Sequence, residues 1–75
     1  MTDSEQIQEY MKSNSRFRNV HERAWDLLDE SGEGIGYVWY KNILGGWRLK
    51  LYTEPESEWE KRGVIETVEQ LKTIL

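Results

Sequence analysis

The sequence predicts a small single α+β domain covering residues 1–75, ordered helix, helix, β-hairpin, helix (ααββα), with a two-stranded antiparallel sheet packed on the helices. Three observations carry that prediction. Apolar residues recur at helical spacing over residues 7–11, 17–28 and 64–75. Residues 35–53 are aromatic, β-branched and alternating, as strands are. Between the two alternating runs, Asn42-Ile43-Leu44-Gly45-Gly46 supplies a turn.

The first helix is expected from Thr2 to about Ser13, with Ile7, Tyr10 and Met11 on one narrow apolar stripe. Thr2 with Glu5 resembles a capping box, in which side chains satisfy the first amides of a helix. Ser13, Asn14 and Ser15 break it, because their side chains compete for backbone hydrogen bonds and favour turns. A second helix is expected from Arg16 to Glu30. There Phe17, Val20, Ala24, Leu27 and Leu28 share one helical face, flanked by His21 and Trp25, and Gly32 can take the left-handed conformation that ends a helix.

In the hairpin, one strand runs from Ile35 to Lys41 and the other alternates Trp47, Leu49 and Leu51 with Arg48, Lys50 and Tyr52. A one-residue slip exchanges the faces of a strand, so the turn length decides which side of the first strand is inside. An even loop puts Val38 and Tyr40 inside and Tyr37, Trp39 and Lys41 outside; an odd loop reverses this. Pro55, with no amide to donate, ends the hairpin. Glu56 to Arg62 reads as a helical turn or loop, and Val64 to Leu75 as the C-terminal helix with the stripe Val64, Ile65, Val68, Leu71, Ile74 and Leu75. Because that stripe runs to the last residue, this helix has to dock or pair to stay ordered. The expected core is Trp47, Leu49 and Leu51 with Val20, Ala24 and Leu27 and with Val64, Val68 and Leu71.

Composition bounds the function. The chain has 75 residues, 37% of them hydrophobic and 32% charged, so it holds one small core and no second module. Four Trp, four Tyr and one Phe still separate it from chains too poor in aromatics to fold. With no cysteine, disulfides, thiolate nucleophiles and thiolate metal sites are excluded, and a reducing cytoplasm suits the chain. No apolar run is long enough for a signal peptide or a membrane span, so a cytoplasmic protein with no membrane partner is expected. The setting of a phage or mobile element would suit so short and acidic a chain.

Catalytic chemistry is thinly supplied. The sole histidine opens His21-Glu22-Arg23-Ala24-Trp25, which starts like the helical two-histidine zinc motif but has Trp25 where the second imidazole belongs. Gly32-Glu33-Gly34-Ile35-Gly36 looks like a phosphate-cradling loop, yet such loops lead from a strand into a helix N-terminus and this one leads from a helix into a strand. A chain with no catalytic residues, no metal and no cofactor is expected.

The formal net charge is -4 and it is unevenly spread. Residues 33–53 hold one acid and three bases, whereas residues 54–75 hold six acids and three bases. Lys41, Arg48 and Lys50, interleaved with Tyr37, Trp39 and Tyr52, could stack on bases or grip phosphates. Glu56 and Glu58 beside Trp59 could dock on a basic protein surface, with the indole as anchor. The candidate contact residues are therefore Tyr37, Trp39, Lys41, Arg48, Lys50, Glu56, Glu58 and Trp59. Size, acidity and excess tryptophan favour a non-enzymatic protein-interaction domain, an adaptor, inhibitor or oligomerising module whose partner is another protein or a second copy paired through the C-terminal helix.

Two helices followed by a hairpin and a closing helix loosely resemble winged-helix DNA-binding domains. The resemblance implies that Arg16 to Glu30 enters the major groove and that the hairpin forms a wing. The sequence departs from that pattern in having two helices before the hairpin where three are usual. Glu22, Asp26, Asp29 and Glu30 would also set carboxylates against phosphates. Nucleic-acid binding through the basic aromatic hairpin is the alternative function.

Overall fold

The computed structural model describes residues 2–74. Helix α1 (Asp3–Ser13) starts as its sequence requires: the Thr2 hydroxyl accepts the Glu5 amide, and Ile7 and Met11 are fully buried. After it come strands β1 (Phe17–His21), β2 (Ala24–Leu28), β3 (Gly34–Lys41) and β4 (Gly46–Leu51), then helices α2 (Glu56–Arg62) and α3 (Val68–Ile74). The four strands form one antiparallel sheet in the order β1-β2-β3-β4. The expected ααββα order and two-stranded sheet are thus overturned, although the domain is α+β.

The correction lies in residues 16–30, which form a hairpin where a helix was expected. On a helix, Glu22, Asp26 and Glu30 would stack three carboxylates at intervals of four, a repulsive row. In the hairpin Asp26 instead lies opposite Arg18, and the Arg18 guanidinium meets its carboxylate at 2.9 Å. The Asn19 side chain closes the turn, donating from Nδ2 to the His21 carbonyl at 2.6 Å and to the Ala24 carbonyl at 3.2 Å. Cross-strand pairing with β3 completes the override of helical spacing, setting Trp25 against Val38 and Leu27 against Gly36. Val20, placed in the expected core, sits where the β1 register shifts and is 40% exposed. Gly32 does take a left-handed conformation (φ 89°), but it serves the β2–β3 turn. Asp29 organises that turn: its Oδ1 accepts the Ser31 hydroxyl, the Ser31 amide and the Glu33 amide at 2.7–2.9 Å. Those bonds, the Ser31 hydroxyl first, hold the Asp29 carboxyl below its ordinary pKa. Residues 16–30, which the winged-helix likeness makes a groove-binding helix, are a hairpin, so the winged-helix likeness falls.

The β3–β4 hairpin pairs Lys41 with Gly46 across a four-residue turn, so the even-loop alternative applies. Val38 is fully buried, Tyr40 lies edge-on to Trp47 at 5.4 Å, and Tyr37 and Trp39 face the other way. The inner face of the sheet carries Phe17, Trp25, Leu27, Val38, Trp47 and Leu49, which join Ile7 and Met11 of α1, Leu71 of α3 and Ile65 in one core. Trp47 also pins α1, donating its indole N–H to the Ser4 carbonyl at 3.2 Å. Leu51 and Val68 are half-buried against this core, while Ala24 is buried on the opposite face.

The C-terminal helix is shorter than its apolar stripe. Residues 64–66 are extended, and Ile65 exchanges two backbone hydrogen bonds with Trp47. Gly46 permits this close approach, since any side chain there would collide with Val64. Helix α3 then starts on a capping box: the Gln70 amide donates to the Thr67 hydroxyl at 3.2 Å and the Gln70 side chain accepts the Thr67 amide at 3.1 Å. Its stripe is spent on the protein's own core through Val68, Leu71 and Ile74, and Leu75 lies outside the described residues.

Candidate functional site

Alternation along β1–β4 gives the sheet a second, outer face, and the sequence-predicted contact residues gather there. Tyr37, Trp39 and Lys41 point outward from β3, as do Arg48 and Lys50 from β4, because their neighbours Val38, Trp47 and Leu49 point into the core. Tyr37 and Trp39 stack with ring centres 5.9 Å apart and planes 25° from parallel. Tyr37, Trp39 and Lys50 line a shallow, open cleft.

Helix α2 supplies the rest. The turn of chain at 56–62, left between helix and loop by the sequence, is a helix, and it lies over the outer face with Trp59 set edge-on to Trp39 at 5.6 Å. Arg48 sits beneath it. Its guanidinium lies 5.1 Å from the Trp59 ring centre and its Nη2 donates to the Trp59 carbonyl at 3.3 Å. The Arg48 Nε is buried without a hydrogen-bond partner. Arg48 therefore holds Trp59 in place, and its charge is largely withdrawn from any incoming ligand. Glu56 and Glu58 are exposed on α2, beside the cleft rather than in it.

A second device fixes α2. Arg62 and Glu54 form a two-pronged ion pair, Nη1 to Oε1 and Nη2 to Oε2, both at 2.7 Å. The same groups close the free edge of β4: Arg62 Nη1 donates to the Leu49 carbonyl at 2.9 Å, and Glu54 Oε1 accepts the Leu51 amide at 2.9 Å. Together with Ile65 at Trp47 they occupy the outward-facing backbone groups that would otherwise invite another strand. The Arg62 side chain is the main reason that the Glu54 carboxyl lies below its ordinary pKa, and Glu54 raises that of Arg62 in return. Sequence reasoning passed over both residues, since a Glu and an Arg eight apart carry no local signal.

Three residues that the sequence singled out lie at or just past the ends of strands. Lys41 is exposed at the end of β3, one strand position pair beyond Trp39. Tyr52, read with the basic aromatic island, lies past the end of β4 and is 55% exposed; burial raises its pKa. His21 is exposed at the end of β1. Among the described residues no group of three or more His, Asp or Glu side chains converges as a metal site would, and no helix is long and apolar enough to cross a membrane. Comparison with protein-family models, with curated proteins and with solved structures gave no match.

Proposed function

We propose that the chain is a small non-enzymatic protein-interaction domain that works by occupying a partner's surface with the outer face of its sheet. Tyr37, Trp39 and Trp59 form the apolar centre of the contact, Lys41 and Lys50 its basic rim, and Glu56 and Glu58 its acidic rim. An aromatic centre inside a charged rim is the usual anatomy of a protein interface. A cytoplasmic setting belongs to this reading, on the ground that the chain has no cysteine.

The single observation that carries it is the fate of the bases. Of the cationic groups that the strands present on the outer face, Arg48 is engaged under Trp59 and Arg18 is paired with Asp26, which leaves Lys41 and Lys50, while Lys61 stands on α2 among the glutamates. Two lysines beside a row of free glutamates make a poor grip on a polyanion, whose affinity grows with each phosphate neutralised. One observation favours the second reading, a single-stranded nucleic acid: the Tyr37–Trp39 pair offers a flat stack on an open antiparallel sheet.

Two measurements separate the readings. The first is a titration with short DNA and RNA, single-stranded and duplex, at physiological salt, followed by tryptophan emission. No submicromolar binding is expected; such binding, abolished by Lys41→Glu with Lys50→Glu, would overturn the proposal. The second is capture of partners on the immobilised full chain. The variant carrying Tyr37→Ala and Lys50→Glu, shown to be folded by circular dichroism, is expected to lose them. Capture of the same proteins by variant and wild type would place the contact elsewhere.

A further inference from the structure

The outer face holds two sets of charges that the protein leaves without partners. Arg18 is paired with Asp26 and Arg62 with Glu54, but none of Lys41, Lys50, Glu56, Glu58 and Glu60 forms an ion pair among the described residues. Lys41 and Lys50 stand on β3 and β4, and the three glutamates stand on α2 together with the exposed Lys61, so that α2 keeps an acidic excess. The edge-on contact of Trp39 with Trp59 joins the basic half of the face to the acidic half.

We propose that this face binds a second copy of the chain about a two-fold axis near Trp39 and Trp59. Lys41 and Lys50 of one protomer then meet Glu56 and Glu58 of its partner, and the reverse pair forms on the other side of the axis. A two-fold interface must be its own complement, so a patch of one sign opposes itself, whereas a patch divided into basic and acidic halves attracts itself. This rests on the reading of the outer face as a protein-contact surface and names its partner.

Other routes to a dimer are less favoured. Ile65, Arg62 and Glu54 occupy the edge of β4. Strand β1, the opposite edge, is five residues long and broken by a register shift, which disfavours strand addition. The apolar stripe of α3, which the sequence offered as a dimer seam, is turned into the core at Leu71. The β3–β4 turn exposes Ile43 and Leu44 beside Lys41 but carries no acidic side chain to complement that lysine, so the outer face is the surface that offers apolar area with unpaired charge of both signs. A contact held by surface charges around a few aromatic rings is weakened by salt and by dilution.

Sedimentation equilibrium of the full chain tests it. The weight-average mass should rise toward twice the monomer mass as concentration increases, and the dissociation constant should weaken by about tenfold between about 0.05 M and 0.5 M salt. Lys41→Glu with Lys50→Glu makes the face predominantly acidic, and Glu56→Lys with Glu58→Lys makes it predominantly basic. Each variant alone should be monomeric, while their equimolar mixture should associate, because both sets of contacts are then complementary. If either variant misfolds by circular dichroism, the neutral pair Lys41→Gln and Lys50→Gln replaces it and should weaken the dimer by about tenfold. A wild-type chain that is monomeric at about 1 mM, or folded variants that do not associate on mixing, would overturn the inference. With a monomeric wild type, loss of captured proteins on Tyr37→Ala with Lys50→Glu would still uphold the broader interaction reading.

Discussion

The Glu54–Arg62 pair lends itself to a quantitative test, because it holds α2 and the edge of β4 at the same time. The two side chains are only 14% and 22% exposed, so they lie between the surface pairs worth up to about 1 kcal/mol and the buried ones whose disruption costs about 3–5 kcal/mol. Four short hydrogen bonds connect the pair to itself and to the backbone of Leu49 and Leu51. A double-mutant cycle of Glu54→Gln and Arg62→Met should therefore give a coupling of about 2 kcal/mol. Urea unfolding followed by tryptophan emission reads this directly: with a slope near 1 kcal/mol per molar, Glu54→Gln alone should lower the midpoint by about 1–2 M. The effect depends on pH in a definite direction. Arg62 depresses the carboxyl pKa in the folded state, so the stabilisation is full above the ordinary Glu value of about 4.3 and is lost as the pH falls through the lower folded value. Wild type and Glu54→Gln should converge in acid, with the residual acid sensitivity of both coming partly from Asp29. A coupling below about 0.5 kcal/mol, or a gap between the two proteins that stays constant from neutral pH into acid, would refute the account of the pair as a structural clip.

The core and the backbone give two further expectations. Leu49, 1% exposed between Val38 and the helices, should cost about 2–5 kcal/mol when cut to Ala, most or all of the stability of a 75-residue domain, and a urea midpoint equal to wild type would contradict the core assignment. At Gly36 a Cβ would stand 2.7 Å from the Lys50 carbonyl of the neighbouring strand, so Gly36→Ala should destabilise the β3–β4 hairpin, seen as a lower thermal midpoint and faster amide exchange at Tyr37 and Lys50.

What the sequence made legible was whatever rests on local chemistry. The Thr2 cap of α1 and the alternation of β3 and β4 follow from neighbours within a few positions, whereas the facing of Tyr37 and Trp39 waited on the length of the turn. Residues 17–28 misled because Phe17, Val20, Ala24, Leu27 and Leu28 satisfy a helical period that nothing local contradicts except the row of Glu22, Asp26 and Glu30. That repulsion is a few tenths of a kcal/mol per pair and was outweighed in the reading by the apolar spacing, whereas in the folded chain pairing with β3 decides. The start of α3 had its own signal, the Thr67-Val68-Glu69-Gln70 box, which marks Val64 to Glu66 as lying before the helix rather than in it.

The candidate site was legible as a list of residues but not as a division of labour among them. Arg48 and Lys50 look alike in the sequence, two bases on one strand face, yet α2 returns over the first and leaves the second open. That return depends on the Glu54–Arg62 clip, which closes a loop through β4 and cannot be inferred from spacing. The consequence reaches function: with Arg48 covered by Trp59, the acidic helix becomes a permanent neighbour of the basic strands, and the face that looked like a cationic island is a dipolar one. On the proposed reading such a face disfavours a uniform polyanion and suits a surface divided in the same way, although the aromatic stack alone would suit a base.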